Sequence, residues 1–203
     1  AYRFRVSPGL ASAAVRELRV AVERPWLYAI ELNGRPLDFA KAERFFDEHM
    51  RIVRMGDWAR PETNELRLTA RPFHVLCEVM PVWILGDFAL APATPGFVLE
   101  PARPLALGEW RSQGLPFYAG TVRYRWPFEL ERAAGRLTVK LGEWAGSVAR
   151  VTLDGARVGA LAWPPYELAI EGPVASGSHE LAVEIAGNMK NLMGPHFSEG
   201  LPG

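Results

Sequence analysis

A single cysteine, Cys77, in 203 residues leaves no intramolecular disulfide and no zinc cluster built on thiolates. Lysine is nearly missing too, 3 residues against 20 arginines. With abundant alanine, that bias reads as a GC-rich bacterial coding habit, which bears on origin and not on mechanism. The 23 basic and 23 acidic residues cancel, so the basic footprint of a nucleic-acid binder is absent. Long apolar runs are also lacking. The longest region, VLCEVMPVWILGDFAL (75–90), is broken by Glu78, Pro81 and Asp87. Each charge at membrane depth costs about 2.5–3.5 kcal/mol on insertion scales, so a membrane partner is not expected. There is no N-x-S/T sequon. The opening AYRFRV has neither an initiating Met nor signal-peptide anatomy, and the expectation is a processed or excised piece of a longer chain. The compartment stays open, the periplasm and the cell exterior included.

Catalytic and metal signatures are equally scarce. The four histidines stand at 49, 74, 179 and 196 with no His-x-His pair, and the cluster Asp47, Glu48, His49 is contiguous rather than spaced to converge. No metal site is expected. G-x-S-x-G, a Gly-rich phosphate loop and a Cys–His nucleophile setting do not occur. A glycosidase needs two carboxyls about 5–10 Å apart across a cleft, and counting carboxylates does not test that.

What the chain has is strand pattern and turn residues. Nearly half its residues are apolar, and 17 Pro and 19 Gly are spread throughout, as many short strands joined by turns require. Period-2 segments include YRFRV (2–6), LRVAVE (18–23), YAIEL (28–32), HMRIVRM (49–55), ELRLTA (65–70), HVLCEVM (74–80) and VWILGDFAL (82–90). Further on come TVRYRWPFEL (121–130), RLTVKL (136–141), VARVTL (148–153), ARVGAL (156–161), YELAI (166–170) and HELAVEI (179–185). Only ASAAVREL (11–18) and DFAKAERFFDEH (38–49) invite a helix. APATPG (91–96) is the best boundary, giving units 1–95 and 96–203.

One device occurs twice. Aligning LNG (32–34) with LDG (153–155) sets Ile30 on Val151, Leu32 on Leu153 and Asn33-Gly34 on Asp154-Gly155. Both pairs tolerate the positive φ angles of a type I′ hairpin turn. NELRL (64–68) then matches HELAV (179–183), with about six more residues intervening in the first copy. Each copy reads as part of a sandwich that buries alternating Ile, Leu and Val between two sheets. After Asp154-Gly155 the strand ARVGAL carries Gly159, which marks a close crossing or a bulge, and Pro164-Pro165 removes two ladder donors at a corner. The fold expected is all-β, two tandem jelly-roll β-sandwiches.

The segments GLPFYAGTVRYRWPFEL (114–130), LGEWAGSVARVTLDGARVGALAWPPYELAI (141–170) and SGSHELAVEI (176–185) resemble the jelly-roll sugar-binding modules of family 2 type glycoside hydrolases. They are equally similar to the galactose-binding-like modules of large bacterial α-L-rhamnosidase-like glycosidases. The ending NMKNLMGPHF (188–197) resembles the terminal tail of such enzymes. The likeness covers 96–197 well and 17–90 more loosely. It implies a non-catalytic accessory portion of a large glycoside hydrolase-like protein, binding carbohydrate or framing the active site of a catalytic domain elsewhere in the same parent polypeptide. It implies no cofactor. A structural calcium suits this module class, but no Asp-rich loop points to one. The catalytic pair of such enzymes sits on a (β/α)₈ barrel, for which 203 strand-rich residues have no room. Two alternatives stand beside this: a purely structural interdomain module without ligand, favoured by exposed apolar patches, and a small stand-alone carbohydrate-active enzyme.

Sugar recognition uses flat aromatic faces and planar polar groups. Trp58, Trp110, Tyr118, Trp144 and Trp163 lie in or beside predicted loops, where binding residues collect. Asn188, Asn191 and His196 form a polar cluster in the tail. The competing role for each aromatic is to plug a sandwich end, Trp163 above all, and for the tail to pack on its own sandwich. Trp83 and Trp126 fall inside strand patterns and are expected in the core.

Overall fold

The computed structural model of the chain describes residues 1–189. It is all-β, in two compact units, Ala1–Leu115 and Pro116–Gly203. The division falls at 115/116 and not near residue 95. The physical reason is β10 (Phe97–Glu100), which closes the first unit by pairing antiparallel with β9 (Ala89–Pro92) and parallel with β1 (Tyr2–Val6).

In the first unit, β1 is followed by a short helix α1 (Ser12–Arg16), β2 (Arg19–Glu23), β3 (Ala29–Leu32), β4 (Arg35–Pro36), β5 (Glu43–Phe45), β6 (Asp47–Arg54), β7 (Glu62–Thr69) and β8 (Trp83–Leu85), then β9 and β10. They form a six-stranded sheet, β4-β3-β7-β1-β10-β9, and a four-stranded sheet, β5-β6-β2-β8. Val20 and Val22 of one sheet meet Val6, Ile30, Leu32, Leu66 and Leu99 of the other in a shared core. Alternation along β2 sends Ala21 to the opposite face, where it is buried with Met50 and Ile52 in a second small cluster.

The second unit is smaller. β11 (Thr121–Leu130), β16 (Gly177–Ala186), β13 (Val148–Leu153) and β14 (Ala156–Leu161) make one sheet in that order, and β12 (Ala134–Lys140) pairs with β15 (Glu167–Val174) in the other. Val151, Leu153, Leu161 and Val183 pack against Val139 and Ile170 across the layers. The expected bulge is present: Val151 pairs with Gly159 and Thr152 with Arg157, leaving Val158 as the extra residue. A Cβ on Gly159 would lie 2.6 Å from Leu168 Cδ1, so the close crossing is real as well.

The duplicated device is reproduced to the level of individual bonds. Asn33-Gly34 and Asp154-Gly155 all have positive φ (53° and 78°, 50° and 80°). Leu32 pairs with Leu66 and Ile30 with Leu68; Leu153 pairs with Leu181 and Val151 with Val183. The Asn33 N–H donates to Glu65 O at 2.9 Å and the Asp154 N–H to Glu180 O at 2.9 Å. In return Asn33 Oδ1 accepts from the Glu65 N–H (3.0 Å), and Asp154 Oδ1 from the Glu180 N–H (2.8 Å). Each turn side chain thereby clasps the strand that follows it in the sheet.

Two expected elements take another form. Residues 38–49 are not helical: Phe46 has φ 64°, which a right-handed helix does not allow, and Asp47 Oδ1 accepts from the N–H groups of His49 and Met50 instead. Glu43 and Arg44 pair with Ile52 and Arg51 as β5. Residues 74–80 form a loop and not a strand. The Cys77 N–H turns back to His74 O (2.8 Å), and Pro72 and Pro81 bracket the segment without donors. Cys77 itself is buried there.

Candidate functional site

Strand register divides the second sandwich into two unlike ends. At one end lie tight connections, the hairpin turn 154–155 between β13 and β14 and the turn 175–176 that carries the chain from β15 in one sheet to β16 in the other. At the other end lie the loops 141–147 and 162–166, the entry at 116–120 and the exit at 187–189. Pairing of Lys140 with Glu167, Ala149 with Leu161, and Ala186 with both Thr121 and Val148 brings these four segments together. Backbone bonds lace them: Leu141 N to Tyr166 O (2.9 Å), Ser147 N to Ala186 O (2.8 Å) and Gly187 N to Gly120 O (2.9 Å).

Four of the sequence-derived candidates fall at this open end: Tyr118, Trp144, Trp163 and Asn188. Trp163 is 76% exposed, so it is not the lid its neighbouring prolines suggested. Trp144 is half-buried against the second core and stands edge-on to Tyr166, ring centroids 5.3 Å apart at 81°. Its indole N–H is buried and meets no acceptor among the described residues. Trp144 therefore braces Tyr166, while Trp163 offers an open face. The Tyr118 hydroxyl donates to Thr121 O at 3.0 Å, which fixes the entry strand. Lys140 and Glu167 form an ion pair at 2.7 Å beside the loops, and that pair raises the Lys140 pKa. This end of the sandwich thus carries one solvent-open indole, on the loop 162–166, and one ion pair, between the end of β12 and the start of β15.

Two further candidates, Trp58 and Trp110, belong to the first unit. Trp58 packs against the first core, and its carbonyl accepts from Asn33 Nδ2 at 2.8 Å. Trp110 is half-buried, and its carbonyl accepts from the N–H groups of Gln113 and Leu115. Asn191 and His196 lie outside the described residues. Trp83 and Trp126, expected in the core, are 40% and 37% exposed. Both stand on strands but are not covered as their period-2 setting suggested.

Two features of the first unit escaped the sequence reading. Trp26 is 58% exposed, with the Arg51 guanidinium 5.7 Å from its ring centroid and His49 edge-on at 6.1 Å. Its place beside Pro25, between two strand patterns, was the signal that could have found it. The second feature is the loop 70–82. Tyr28 Oη donates to Glu78 O (3.1 Å) and accepts from Glu78 N (3.0 Å), and Tyr2 Oη bonds Met80 O. So held, the loop leaves Phe73 (78%), Val75 (86%) and Val79 (96%) exposed. Alternation in the sequence hid this, because in a strand Phe73, Val75 and Val79 would share one face with the buried Cys77.

Among the described residues no helix is long and apolar enough to cross a membrane, and no three His, Cys, Asp or Glu side chains converge as metal ligands. No family model and no curated protein matches the chain. Among solved structures, a rhamnosidase from Novosphingobium sp. PP1Y aligns at 21% identity with a TM-score of 0.37, over 92% of this chain and 19% of the other. The chain thus spans about a fifth of that enzyme's length.

Proposed function

We propose that the chain is a non-catalytic, carbohydrate-binding portion of a larger glycoside hydrolase-like polypeptide, with its sugar contacts at the open end of the second sandwich. The observation that carries this reading is the exposed Trp163 side chain on the loop 162–166, at the sandwich end to which the Trp144–Tyr166 ring pair and the Lys140–Glu167 ion pair also belong. Aromatic side chains supply large rigid contact area at little entropic cost, and loop ends are where such contacts collect. A glycan-array screen followed by calorimetry tests it. Trp163→Ala loses binding while the unfolding midpoint stays put, since so exposed a side chain holds little of the core. Binding that survives Trp163→Ala, or no glycan bound at all, removes the proposal.

The second reading, an interdomain module without a ligand, is favoured by the apolar loop carrying Phe73, Val75 and Val79. On that reading the chain binds no glycan, and Phe73→Ser with Val79→Ser abolishes concentration-dependent association in sedimentation experiments. Retained association in that variant rejects it.

A further inference from the structure

The two copies of the hairpin clasp differ in one chemical respect. In the first, Asn33 Nδ2 donates to Asn64 Oδ1 at 2.9 Å, a bond between neutral amides. In the second, the matching positions are Asp154 and His179, with Nδ1 of the ring 2.7 Å from Asp154 Oδ2. The other ring nitrogen, Nε2, lies 2.9 Å from the carbonyl oxygen of Ala175, in the turn between β15 and β16. Both partners are acceptors. A neutral imidazole carries one N–H and satisfies only one of them, whereas imidazolium donates to both. The His179 side chain is 11% exposed, so water has little room to repair the lost bond. With both nitrogens engaged, the pair is not a catalytic Asp–His dyad.

We infer that Asp154 and His179 form a proton-operated clasp. It ties the turns 154–155 and 175–176 together while His179 is imidazolium, and it releases one of them when the ring is neutral.

The surroundings agree. Glu129 of β11 lies near enough to favour the cation and is itself hydrogen-bonded by the Ser178 hydroxyl at 2.7 Å. On β16 the neighbouring Glu180 is engaged by Arg125 at 3.0 Å, which occupies that guanidinium. The Phe128 ring lies 5.6 Å from the imidazole, within the range where an aromatic face attracts a cation. The Asp154 hydrogen bond, then that of Ala175, raises the His179 pKa, and the bonds from His179 and from the Glu180 N–H lower that of Asp154. A raised histidine pKa means stability fully present below the unfolded value, about 6.5, and lost as pH rises through the folded value. One proton is linked, so the folded-to-unfolded ratio of this end falls by at most about tenfold per pH unit inside that window. The first unit, with its amide clasp, has no such dependence at the equivalent place and serves as an internal control.

The test uses the full chain. NMR titration of the His179 ring gives its pKa with no substitution, and hydrogen exchange, corrected for the intrinsic pH effect, reads the peptides 150–157 and 177–184 against 30–36 and 62–68. The expected result is a His179 pKa above the free value and protection of the second-unit peptides that falls with rising pH, the first-unit peptides staying flat. Asp154→Asn with His179→Asn, which imports the amide clasp, flattens the second-unit profile too. A His179 pKa at or below the free value overturns the inference. So does a pH dependence that persists unchanged in that double variant or in His179→Gln.

Discussion

Asn64 is fully buried in the first unit, and its replacement gives the sharpest test of how the clasp region is held. Its Oδ1 accepts from the Arg60 N–H (3.0 Å) and from Asn33 Nδ2 (2.9 Å), and its Nδ2 donates to Arg60 O (2.8 Å). Asn64→Ala removes all three. At about 1 kcal/mol net for each well-formed bond, the expected loss is about 3 kcal/mol. That is a large share of the 5–15 kcal/mol by which a domain of this kind is ordinarily stable. Asn64→Asp separates hydrogen bonding from mere volume. The carboxylate keeps the acceptor but sets its second oxygen against the Arg60 carbonyl, where Nδ2 had donated. Only the protonated acid restores that bond, so the new carboxyl has a folded pKa above its unfolded one. Its stability is therefore full below the unfolded value, about pH 4, and is lost as pH rises through the folded value. Urea unfolding followed by tryptophan emission, with hydrogen exchange at 30–36 and 62–68, measures both variants against the wild-type chain. A loss below about 1 kcal/mol for Asn64→Ala, or an Asn64→Asp variant indifferent to pH, refutes the reasoning.

Three further outcomes are expected. Gly159→Ala forces its Cβ against Leu168, which must leave its rotamer, and costs about 1–3 kcal/mol in chemical denaturation; Gly135→Ala, with open space around it, does not. Tyr28→Phe removes both bonds to Glu78, and limited proteolysis then cuts within 71–82 faster while the global unfolding midpoint moves little. Glu184 is held below the usual carboxylate range by hydrogen bonds from Arg123 and Arg150. Its contribution is present above the unfolded value and lost as pH falls through the folded one, so Glu184→Gln flattens the acid limb of thermal stability between about pH 5 and 3.

The sequence by itself determined what depends on near neighbours. The two positive-φ turns follow from Asn-Gly and Asp-Gly, because few other pairs adopt that backbone. The pairing of NELRL and HELAV with the strands before those turns follows from period-2 burial, since a slip by one residue would turn Leu66 or Leu181 outward. Gly159 announced its bulge because nothing larger fits against Leu168. Other outcomes needed partners distant in the chain. Residues 38–49 have helical composition, yet pairing of Glu43 and Arg44 with β6 and the left-handed Phe46 made them a hairpin. The run 74–80 alternates like a strand, yet two tyrosine hydroxyls, Tyr2 of β1 and Tyr28 just before β3, hold it as a loop with Val75 and Val79 outward. The first unit extends past residue 95 because β10 finds β1. Among the tryptophans, loop position alone did not separate Trp163, open to solvent, from Trp58 and Trp144, packed on cores. Local backbone preference is written residue by residue, whereas exposure depends on which distant surface arrives to cover a side chain, and only the folded arrangement of strands decides that.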